Sequence, residues 1–499
     1  MPKNIHKSLK IGAFLLILCV FCYFRLKPIY SQTVGYTFDQ GRDFLKAAEV
    51  ILYGKPTFIG PTTGIMGIFH GAWWYYLLTI PFVLFRGSPI GFYYFNFFIQ
   101  LGAFFLLAIF LKKYFDLFTA YIISLLVAVS PYFISTSIFL GNNVIVLPFL
   151  LLFLIVNFLI IEKKIKKKER TFAFLLGLFL GFIAEFEFAF GLLLIPTYFI
   201  LLLGFPPIRT YIFKSKRWAI YLIGLLIPFL PRIFFELRHG FLQTKTLLSF
   251  LLHPKLFTPK PYADVFKDRQ NLFVGYFKGI FTHDPVAITI LIAVIFCLSF
   301  TLYKKSLVYK NFLYFLFLLL GLLFVFSTLY KDTFWVNYYE GIQYIFLLIT
   351  AVSLAKTKSF KYLTLIKSLL IIVIIFFASQ SLIKELKSKP NFVGLPLRNQ
   401  LNVVLYVQSQ EKNLAKYCVK IYTPPVIPYT YNYLFLSRKL SSNIATPDDN
   451  WVHNRCWFII ETDDYKKRQT DWIKANIPQA AKVLTSKMLN GVTIELISK

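Results

Sequence analysis

The feature that most constrains this chain is a series of long, almost uncharged apolar stretches. The longest, Phe172 to Phe205, would be about 51 Å long as one helix, which exceeds the roughly 30 Å hydrocarbon core of a bilayer. Two short helices with a break at Ala184 to Phe190 fit better. Other runs are also helix-length, whereas a membrane β-barrel needs alternating segments of about ten residues. Because helices satisfy their own backbone groups in lipid, the sequence predicts an α-helical polytopic membrane protein.

Composition supports this class and explains the charge. The chain is 57% hydrophobic, contains 58 Phe and has a mean hydropathy of +0.63, unlike a soluble domain. Its net charge of +31 is concentrated in short connections such as Glu162 to Arg170 and Ile208 to Trp218. Basic connections stay on the cytoplasmic side, and they favour contact with anionic membrane lipids. We expect no nucleic acid partner, because no recognition motif accompanies the charge.

The orientation follows from the first apolar run. Ile11 to Phe24 follows three lysines and lacks a cleavage site, so it is interpreted as an uncleaved anchor with a cytoplasmic N-terminus. Because successive crossings must alternate in direction, this N-terminus gives about eleven crossings in the cytoplasmic membrane and an extracytoplasmic C-terminus. Besides the anchor and the divided Phe172 to Phe205 stretch, the expected crossings are Ile90 to Leu111, Ala120 to Tyr132, Val144 to Ile161, Trp218 to Leu230, Val286 to Leu302, Phe312 to Leu329, Tyr338 to Leu354 and Leu363 to Ala378.

Two parts of the transmembrane module, residues 1–384, are expected to be extracytoplasmic loops. The first covers residues 26–87, and within it DFLKAAEVILYG predicts an interfacial amphipathic helix that ends at Gly54. Gly71 to Phe85 is too short to span and is interpreted as a membrane-dipping segment. The second long loop is Pro231 to Pro285.

From about residue 385 the composition becomes polar. Residues 385–499 are expected to form a small extracytoplasmic α/β or α+β domain in the same compartment as the first loop, with DDYKKRQTDWIKANI as a helix. Cys418 and Cys456 both lie in it, and the sequence leaves open whether they form a disulfide. The predicted strands are Val403 to Val407, Lys420 to Pro425, Cys456 to Glu461 and Val492 to Ile497.

Unusual polar residues fall on the predicted outer face. Each has a structural alternative: the aspartates suit the first turn of a helix, an arginine beyond a crossing can reach head groups, and a histidine beside tryptophans can anchor at the interface. Two glutamates flanked by Phe would each cost about 2.5 to 3.5 kcal/mol at mid-membrane, which favours a wet cavity. The residues are Asp39, Arg42, Asp43, His70, Asn142, Asn143, Glu185, Glu187, Arg232, Glu236, Arg238, His239, Asn337, Tyr338, Tyr339, Glu340 and Gln343.

Together these residues predict a cavity at the outer membrane surface that contains both acids and bases. A carboxylate can take the proton of an attacking hydroxyl, and guanidinium groups donate in pairs to phosphate oxygens. This combination suits a donor linked to a lipid phosphate.

The sequence resembles polytopic glycosyltransferases of the GT-C type, in particular the protein mannosyltransferase and aminoarabinose-transferase branch. DQGR (Asp39 to Arg42) is similar to the acidic residue and arginine of the family's first loop, and FHGAWWYYLLTIPFVLF is similar to its HPPLYYWLL segment, with Gly71 and Ala72 where prolines are usual. VSPYFISTSIFLGNN and IFFELRHGF resemble a bacterial subgroup.

The resemblance implies roles for five of the candidate residues, and the others are further candidates from the same outer face. Asp39 would be the catalytic base, and the donor phosphate would lie near Arg42 and His70, with Arg232 and Arg238 as further candidates. The family's Q-x-H is replaced here by EFE, which leaves the sugar open. The acidic pair is D-x-x-x-D, so no obligatory metal is expected, and no cofactor is expected. By the resemblance, Glu185 and Glu187 would line the sugar or acceptor site, and the further candidates for that site are Asp43, Glu236, His239 and Tyr339.

The expected function is therefore an inverting, polyprenyl-phosphate-sugar-dependent glycosyltransferase that acts on a glycan, lipid or protein acceptor outside the cytoplasmic membrane. Two alternatives remain: a flippase or exporter of lipid-linked oligosaccharides, and a polymerase or ligase of surface polysaccharides. A flippase predicts charges throughout the crossings, whereas most crossings here have uncharged centres. A ligase usually has its large loop late in the chain, whereas this acidic loop follows the first crossing.

Overall fold

The computed structural model describes residues 3–253, 259–281, 309–355, 361–387 and 395–499, together with Ile292 and Ile295. The described part is mainly helical. Its helices are α1 Lys3–Tyr30, α2 Phe38–Leu52, α3 Trp73–Leu84, α4 Pro89–Tyr114, α5 Leu117–Val129, α6 Pro131–Ile138, α7 Val146–Ile161, α8 Glu169–Phe186, α9 Phe188–Gly204, α10 Pro206–Phe213, α11 Arg217–Leu226, α12 Leu230–Arg238, α13 Leu242–Leu252, α14 Tyr262–Phe281, α15 Lys310–Thr328, α16 Gln343–Leu354, α17 Lys361–Lys387, α18 Leu397–Gln410, α19 Tyr429–Ser442 and α20 Lys466–Asn476.

Several of these helices can cross a membrane. In the described ranges, four helical segments are long and apolar enough, and α5 with α6 forms a fifth, bent by 59°. Five shorter apolar helices lie among them. The four segments are Lys10–Tyr30, Pro89–Tyr114, Pro206–Arg238 and Lys310–Thr328. The predicted crossing at Val286 to Leu302 and its Cys297 lie outside the described residues.

The predicted division of the longest apolar stretch is confirmed. Helix α8 ends at Phe186 and α9 begins at Phe188, so the two acidic residues lie at the connection. Glycines set the packing of α8 on α11: a Cβ on Gly177 would lie 2.0 Å from the Tyr221 carbonyl oxygen, and one on Gly224 would lie 2.2 Å from that of Phe174. Close helix packing through small residues is typical of membrane proteins.

The bend between α5 and α6 has a local cause. Pro131 begins α6 and has no N–H to continue the ladder of α5. The buried Arg25 of α1 instead donates to the carbonyl groups of Val127 and Ala128, at 2.9 and 3.0 Å, and to Ser137 Oγ at 3.0 Å. This arginine therefore satisfies acceptors that the end of a helix leaves free.

The described part of the expected long connection, Pro231 to Pro285, contains helices. Helix α12 continues the preceding apolar segment to Arg238, and α13 and α14 follow. The residues of IFFELRHGF through Arg238 therefore lie on a helix. A short antiparallel ribbon, β1 Ile59–Thr62 and β2 Phe69–Gly71, lies in the first loop.

Basic connections gather at one end of the helices. Arg217 forms a 3.0 Å ion pair with Glu169, the Lys164 ammonium lies 5.7 Å from the centre of the Tyr309 ring, and Tyr121 donates to the Lys10 carbonyl. The helix α2, the β1–β2 ribbon and the α8–α9 connection meet at the other end, as their contacts below show. The basic connections and the candidate site residues therefore lie at opposite ends of the helices, as the distribution of Lys and Arg in the sequence predicts.

The C-terminal domain contains a four-stranded sheet in the order β3-β4-β6-β5. Strands β3 and β4 are parallel and the other pairs are antiparallel. Cys418 and Cys456 are joined in a disulfide with their Cα atoms 4.6 Å apart. The described strands are β3 Val419–Tyr422, β4 Arg455–Glu461, β5 Lys482–Leu489 and β6 Val492–Ser498.

Three of the four predicted strands match β3, β4 and β6, and the predicted helix matches α20. The predicted strand Val403 to Val407 is wrong, because it lies inside α18. Buried Leu397, Gln400, Val403 and Val407 recur at helical spacing on one face of α18, so tertiary packing overrides the strand propensity of the valines.

This domain packs directly on α2. A Cβ on Gly41 would lie 2.5 Å from the Thr430 backbone nitrogen, so α2 and α19 cross at backbone contact. Tyr433 donates to the Gly87 carbonyl at 2.9 Å, and the Leu397 N–H donates to the Val34 carbonyl at 2.9 Å. The domain is therefore part of the structure that positions α2.

Candidate active site

The first part of the site is the N-terminal turn of α2. The Gln40 side chain accepts from the Thr37 N–H at 2.6 Å and donates to the Leu140 carbonyl at 2.8 Å, which fixes where the helix begins. Arg42 Nη1 lies 2.9 Å from Asp39 Oδ1, with Arg42 22% and Asp39 66% exposed. Asp39 therefore presents a carboxylate to solvent beside a half-buried guanidinium group.

Asp43 differs from Asp39 in its environment. It is buried and accepts hydrogen bonds from Arg42 Nε at 2.9 Å and from Trp74 Nε1 at 2.7 Å. It also forms an ion pair in which Arg42 Nη2 lies 2.8 Å from Asp43 Oδ1. Burial raises the pKa of Asp43 to about 6, against the opposing effect of Arg42. The carboxylate of Asp43 is thus used to hold Arg42, which also donates to the Tyr75 hydroxyl.

His70 lies on β2 between α2 and the α8–α9 connection. Its Nδ1 accepts from the Phe188 N–H at 3.2 Å, so the neutral ring carries its proton on Nε2. Burial, followed by the charges of Arg232 and Arg42, lowers the pKa of His70 to about 3. Near neutral pH this side chain is therefore a neutral hydrogen-bond donor.

The second charged cluster joins α8, α12 and α13. Arg232 Nε donates to Glu185 Oε1 at 2.6 Å, and its Nη1 donates to Gln243 Oε1 at 2.8 Å. Gly71 is required here, because a Cβ at that position would lie 2.1 Å from Glu185 Oε2. The Phe69 N–H also donates to Gln243 at 3.0 Å, so the ribbon, α8 and α12 meet around one ion pair.

Three buried polar atoms in this cluster have no partner in the described structure: Glu185 Oε2, Arg232 Nη2 and Gln243 Nε2. An unpaired buried donor or acceptor costs about 1 to 3 kcal/mol. Such atoms are therefore expected to be satisfied by water or by a bound polar group. Two of the three are donors, which suits an anion.

A cavity of about 460 Å³ lies next to this cluster, although Glu185, Arg232 and Gln243 do not line it. Its polar lining includes His70 and Glu187, and its apolar wall follows α9 from Phe188 to Pro196. The guanidinium of Arg232 lies 5.4 Å from the centre of the Phe188 ring. The remaining lining residues are Thr63, Gly64, Ile65, Ala189, Leu192, Leu193, Phe250, Leu251, Phe326, Leu329, Tyr330, Phe334 and Tyr338.

A third polar group supports the connection before α7. Buried Glu340 accepts from Tyr132 Oη at 2.5 Å and from Asn143 Nδ2 at 2.8 Å. Asn142 donates to the Phe186 carbonyl at 2.7 Å. These bonds fix the α8–α9 connection that carries the two glutamates.

Four further predicted site residues do not take part in the ion pairs described above. Glu236 accepts from the Gln243 and Thr244 N–H groups at 2.9 and 2.8 Å, at the start of α13. His239 stacks on Phe235 and is exposed, as is Arg238. Buried Tyr339 donates to the Leu323 carbonyl at 2.7 Å. Their assignment to substrate binding stays a prediction, and the contacts of Glu236, His239 and Tyr339 indicate structural roles.

Sequence reasoning missed Trp74, Tyr75 and Gln243, which hold Asp43, Arg42 and Arg232. No charge or spacing singles them out among 31 Tyr and 7 Trp. Gly71 was noticed only as a departure from proline.

As for metals, no group of three or more His, Cys, Asp or Glu side chains lies together in the part of the chain that the structure describes.

No family model matches the sequence, and the curated proteins show no significant match. Solved structures do match. ArnT from Cupriavidus metallidurans in the apo state is 10% identical with a TM-score of 0.59, over 99% of this chain and 98% of that chain. The same protein bound to undecaprenyl phosphate is 9% identical with a TM-score of 0.58, over 99% and 98%.

The Archaeoglobus fulgidus oligosaccharyltransferase in the apo form is 12% identical with a TM-score of 0.47, over 81% of this chain and 58% of that chain. The two ArnT matches show that the chain has the fold of ArnT, a GT-C protein, along nearly its whole length. This confirms the fold that the sequence resemblance implies.

Proposed function

We propose that this protein is a membrane glycosyltransferase that takes a sugar from a polyprenyl-phosphate donor and transfers it to an acceptor outside the cytoplasmic membrane. The observation that carries the proposal is the cavity along α9, because its wall is apolar, its polar lining includes His70 and Glu187, and the Arg232 guanidinium lies 5.4 Å from the ring of the lining residue Phe188. A polyprenyl phosphate has the same division into an apolar chain and an anionic head. The ArnT structure with undecaprenyl phosphate supports this choice of ligand.

In the proposed reaction the acceptor hydroxyl oxygen attacks the anomeric carbon of the donor sugar. The bond from that carbon to the phosphate oxygen breaks, polyprenyl phosphate leaves with the bonding electrons, and the hydroxyl proton passes to Asp39. Attack opposite the leaving group inverts the anomeric centre. Asp39 suits the role of base because it is exposed and its described ion pair is to Arg42 alone.

The charges that stabilise the leaving phosphate would come from both clusters. Arg42 is held by the buried Asp43, and Arg232 has a buried Nη2 without a described partner. His70, neutral and protonated on Nε2, would donate a hydrogen bond instead of a positive charge. Preorganised donors aimed at developing charge are commonly the largest contribution to catalysis. Glu185 and Glu187 would lie near the sugar, at the polar end of the cavity.

The domain boundary remains part of this proposal. Residues 1–384 would form the transmembrane module and residues 385–499 the extracytoplasmic domain, with the N-terminus in the cytoplasm. The Cys418–Cys456 disulfide supports this assignment, because disulfides persist in oxidising compartments outside the cytoplasm.

The direct test is Asp39→Asn in the purified protein reconstituted in proteoliposomes with radiolabelled polyprenyl-phosphate sugars. We expect the variant to lose transfer by a factor of about 10² to 10⁴, the range of general base catalysis. Asp268→Asn, which removes a partly exposed partner of Lys260, is the matched control. Full turnover by Asp39→Asn would remove the proposed base, and absence of transfer from every donor by the wild type would reject the function.

A further inference from the structure

A second cavity, of about 620 Å³, lies between α2 and the C-terminal domain and is separate from the cavity along α9. Its volume is within the range of about 300 to 1,000 Å³ that is usual for small-molecule sites. One wall is the face of α2 that carries Leu45, Ala48 and Glu49, and the opposite walls are β3, α19 and α20. None of the residues in the two charged clusters lines it.

The cavity is lined by planar polar groups beside aromatic and prolyl faces. Asn432 and Asn476 contribute side-chain amides from two different helices, and Tyr53 and Trp472 contribute aromatic rings. Each amide both donates and accepts hydrogen bonds, as each sugar hydroxyl does. An amphipathic aromatic ring offers a flat apolar surface with a polar edge, which suits the C–H face of a pyranose.

The charges in this cavity are nearly balanced, which argues against an anionic ligand. Glu49 is already paired with Lys46 at 2.8 Å, and Lys420 donates to Asn476 at 3.3 Å. Asp449 is the remaining carboxylate among the lining residues. The arginines expected at a phosphate site are missing from this lining, whereas Arg42 and Arg232 occupy the other clusters.

The position of the cavity relates it to the proposed chemistry. Glu49 is seven residues beyond Arg42 on the same helix, which corresponds to about 10 Å along the axis. A ligand in the cavity would therefore lie on α2 about two helical turns from the Asp39–Arg42 pair. The backbone contact of Gly41 with Thr430 fixes the domain against α2 beside the Asp39–Arg42 pair.

We propose that the cavity between α2 and the C-terminal domain binds a neutral saccharide. If the proposed function holds, this saccharide is part of the acceptor, bound beyond its attacking hydroxyl. The binding itself does not depend on transfer, so the two proposals can be tested separately.

The experiment uses the full chain in lipid nanodiscs, which avoids detergents with sugar head groups. Cellobiose, mannobiose, chitobiose and lactose are titrated by calorimetry and by saturation-transfer NMR. We expect saturable binding of at least one disaccharide, and at least a tenfold weaker affinity for Asn432→Trp, which fills the cavity from α19. The control is Ser442→Trp, an exposed position on the same helix outside the lining, which should bind as the wild type does.

The thermal unfolding temperature shows whether Asn432→Trp is folded. If it is not, Asn476→Ala, which removes an amide from the opposite wall, replaces it with the same expected loss. The proposal is overturned if no disaccharide binds saturably, or if the folded cavity variant binds as tightly as the wild type. Binding without transfer would reject the proposed function alone, and transfer without binding would reject this site alone.

Discussion

At the scale of single residues, the site separates two aspartates that the sequence presents as equivalent. Asp39 and Asp43 are one helical turn apart, but one is exposed beside Arg42 and the other is buried beneath it. Burial and bonding therefore divide their roles: an exposed carboxylate can accept a proton from an incoming group, and a buried one that is bonded to Arg42 and Trp74 positions the guanidinium. Breaking a buried pair from one side typically costs about 3 to 5 kcal/mol.

This division predicts a pH dependence. Because the pKa of Asp43 is raised to about 6, its carboxylate should lose its charge, and Arg42 its partner, as the pH falls through about 6. We expect kcat/KM to fall with acid through an apparent pKa near 6. In Asp43→Asn this step should be absent and the activity at neutral pH lower by about 100-fold, a typical effect of misplacing a catalytic group. An unchanged step in Asp43→Asn would exclude Asp43 as its source.

His70 predicts a pH dependence of stability. Its folded pKa of about 3 lies below the unfolded value of about 6.5. The unfolded state therefore binds more protons between these values, and stability must fall as the pH falls below about 6.5. Between pH 7 and pH 5, the free energy of unfolding of the wild type should fall by about 2 kcal/mol more than that of His70→Gln. Chemical unfolding in mild detergent measures both; equal losses would contradict a buried, neutral His70.

At the scale of elements, close approaches at two glycines help to position the site. Gly41 allows α2 to cross α19, and Gly71 allows β2 to approach the Glu185 carboxylate. Both glycines lie within two residues of a candidate site residue. The elements that carry Arg42 and His70 are therefore positioned by contacts that tolerate no side chain.

Gly41→Ala tests this packing. Its Cβ would meet the Thr430 backbone at 2.5 Å, and backbone cannot rotate away, so we expect a loss of about 1 to 3 kcal/mol of stability together with reduced transfer. The control is Gly102→Ala inside α4, where no atom lies within 4 Å of the new Cβ and the substitution should stabilise by about 0.5 to 1 kcal/mol. The thermal unfolding temperatures of both variants measure these changes in stability. Equal stability of Gly41→Ala and the wild type would show that α2 and α19 can separate.

Much of the element pattern could be predicted from the sequence, because apolar length and turn residues are local signals. The break between Phe186 and Phe188 and the strand at Cys456 are examples. Val403 to Val407 could not be assigned correctly, since its burial on one face of α18 depends on tertiary contacts. The candidate residues of α2 were found from their charge. The buried supports Trp74 and Gln243 could not be found in this way, because they act through contacts between residues that are distant in the sequence. Trp74 bonds Asp43, 31 positions away, and Gln243 bonds Phe69, 174 positions away.

At the scale of the whole molecule, the structure places the proposed catalytic helix and the C-terminal domain together. Helix α2 contacts α19 at backbone distance, and Arg398 and Leu397 donate backbone hydrogen bonds to the segment before α2. The two must therefore lie in the same compartment, whichever side of the membrane that is. The basic connection at Lys163–Lys168 lies at the other end of α7 and α8.

Thiol labelling in intact cells tests the orientation. In a background with Cys19, Cys22 and Cys297 replaced by serine, Lys55→Cys in the first loop and Ser442→Cys on α19 should both react with a membrane-impermeant maleimide. Lys167→Cys should react only after permeabilisation, since positive connections remain cytoplasmic. All three positions are exposed, so a failure to react reports the compartment instead of burial.

The labelling pattern separates two parts of the account. Labelling of Lys55→Cys without Ser442→Cys would contradict the packing of α2 on α19, because one rigid contact cannot join opposite sides of a membrane. Labelling of Lys167→Cys alone would leave that packing intact but reverse the orientation. The proposed transfer would then face the cytoplasm, where the Cys418–Cys456 disulfide is not expected to persist. The extracytoplasmic glycosyltransferase proposal therefore requires the first two positions to react together and the third to be protected.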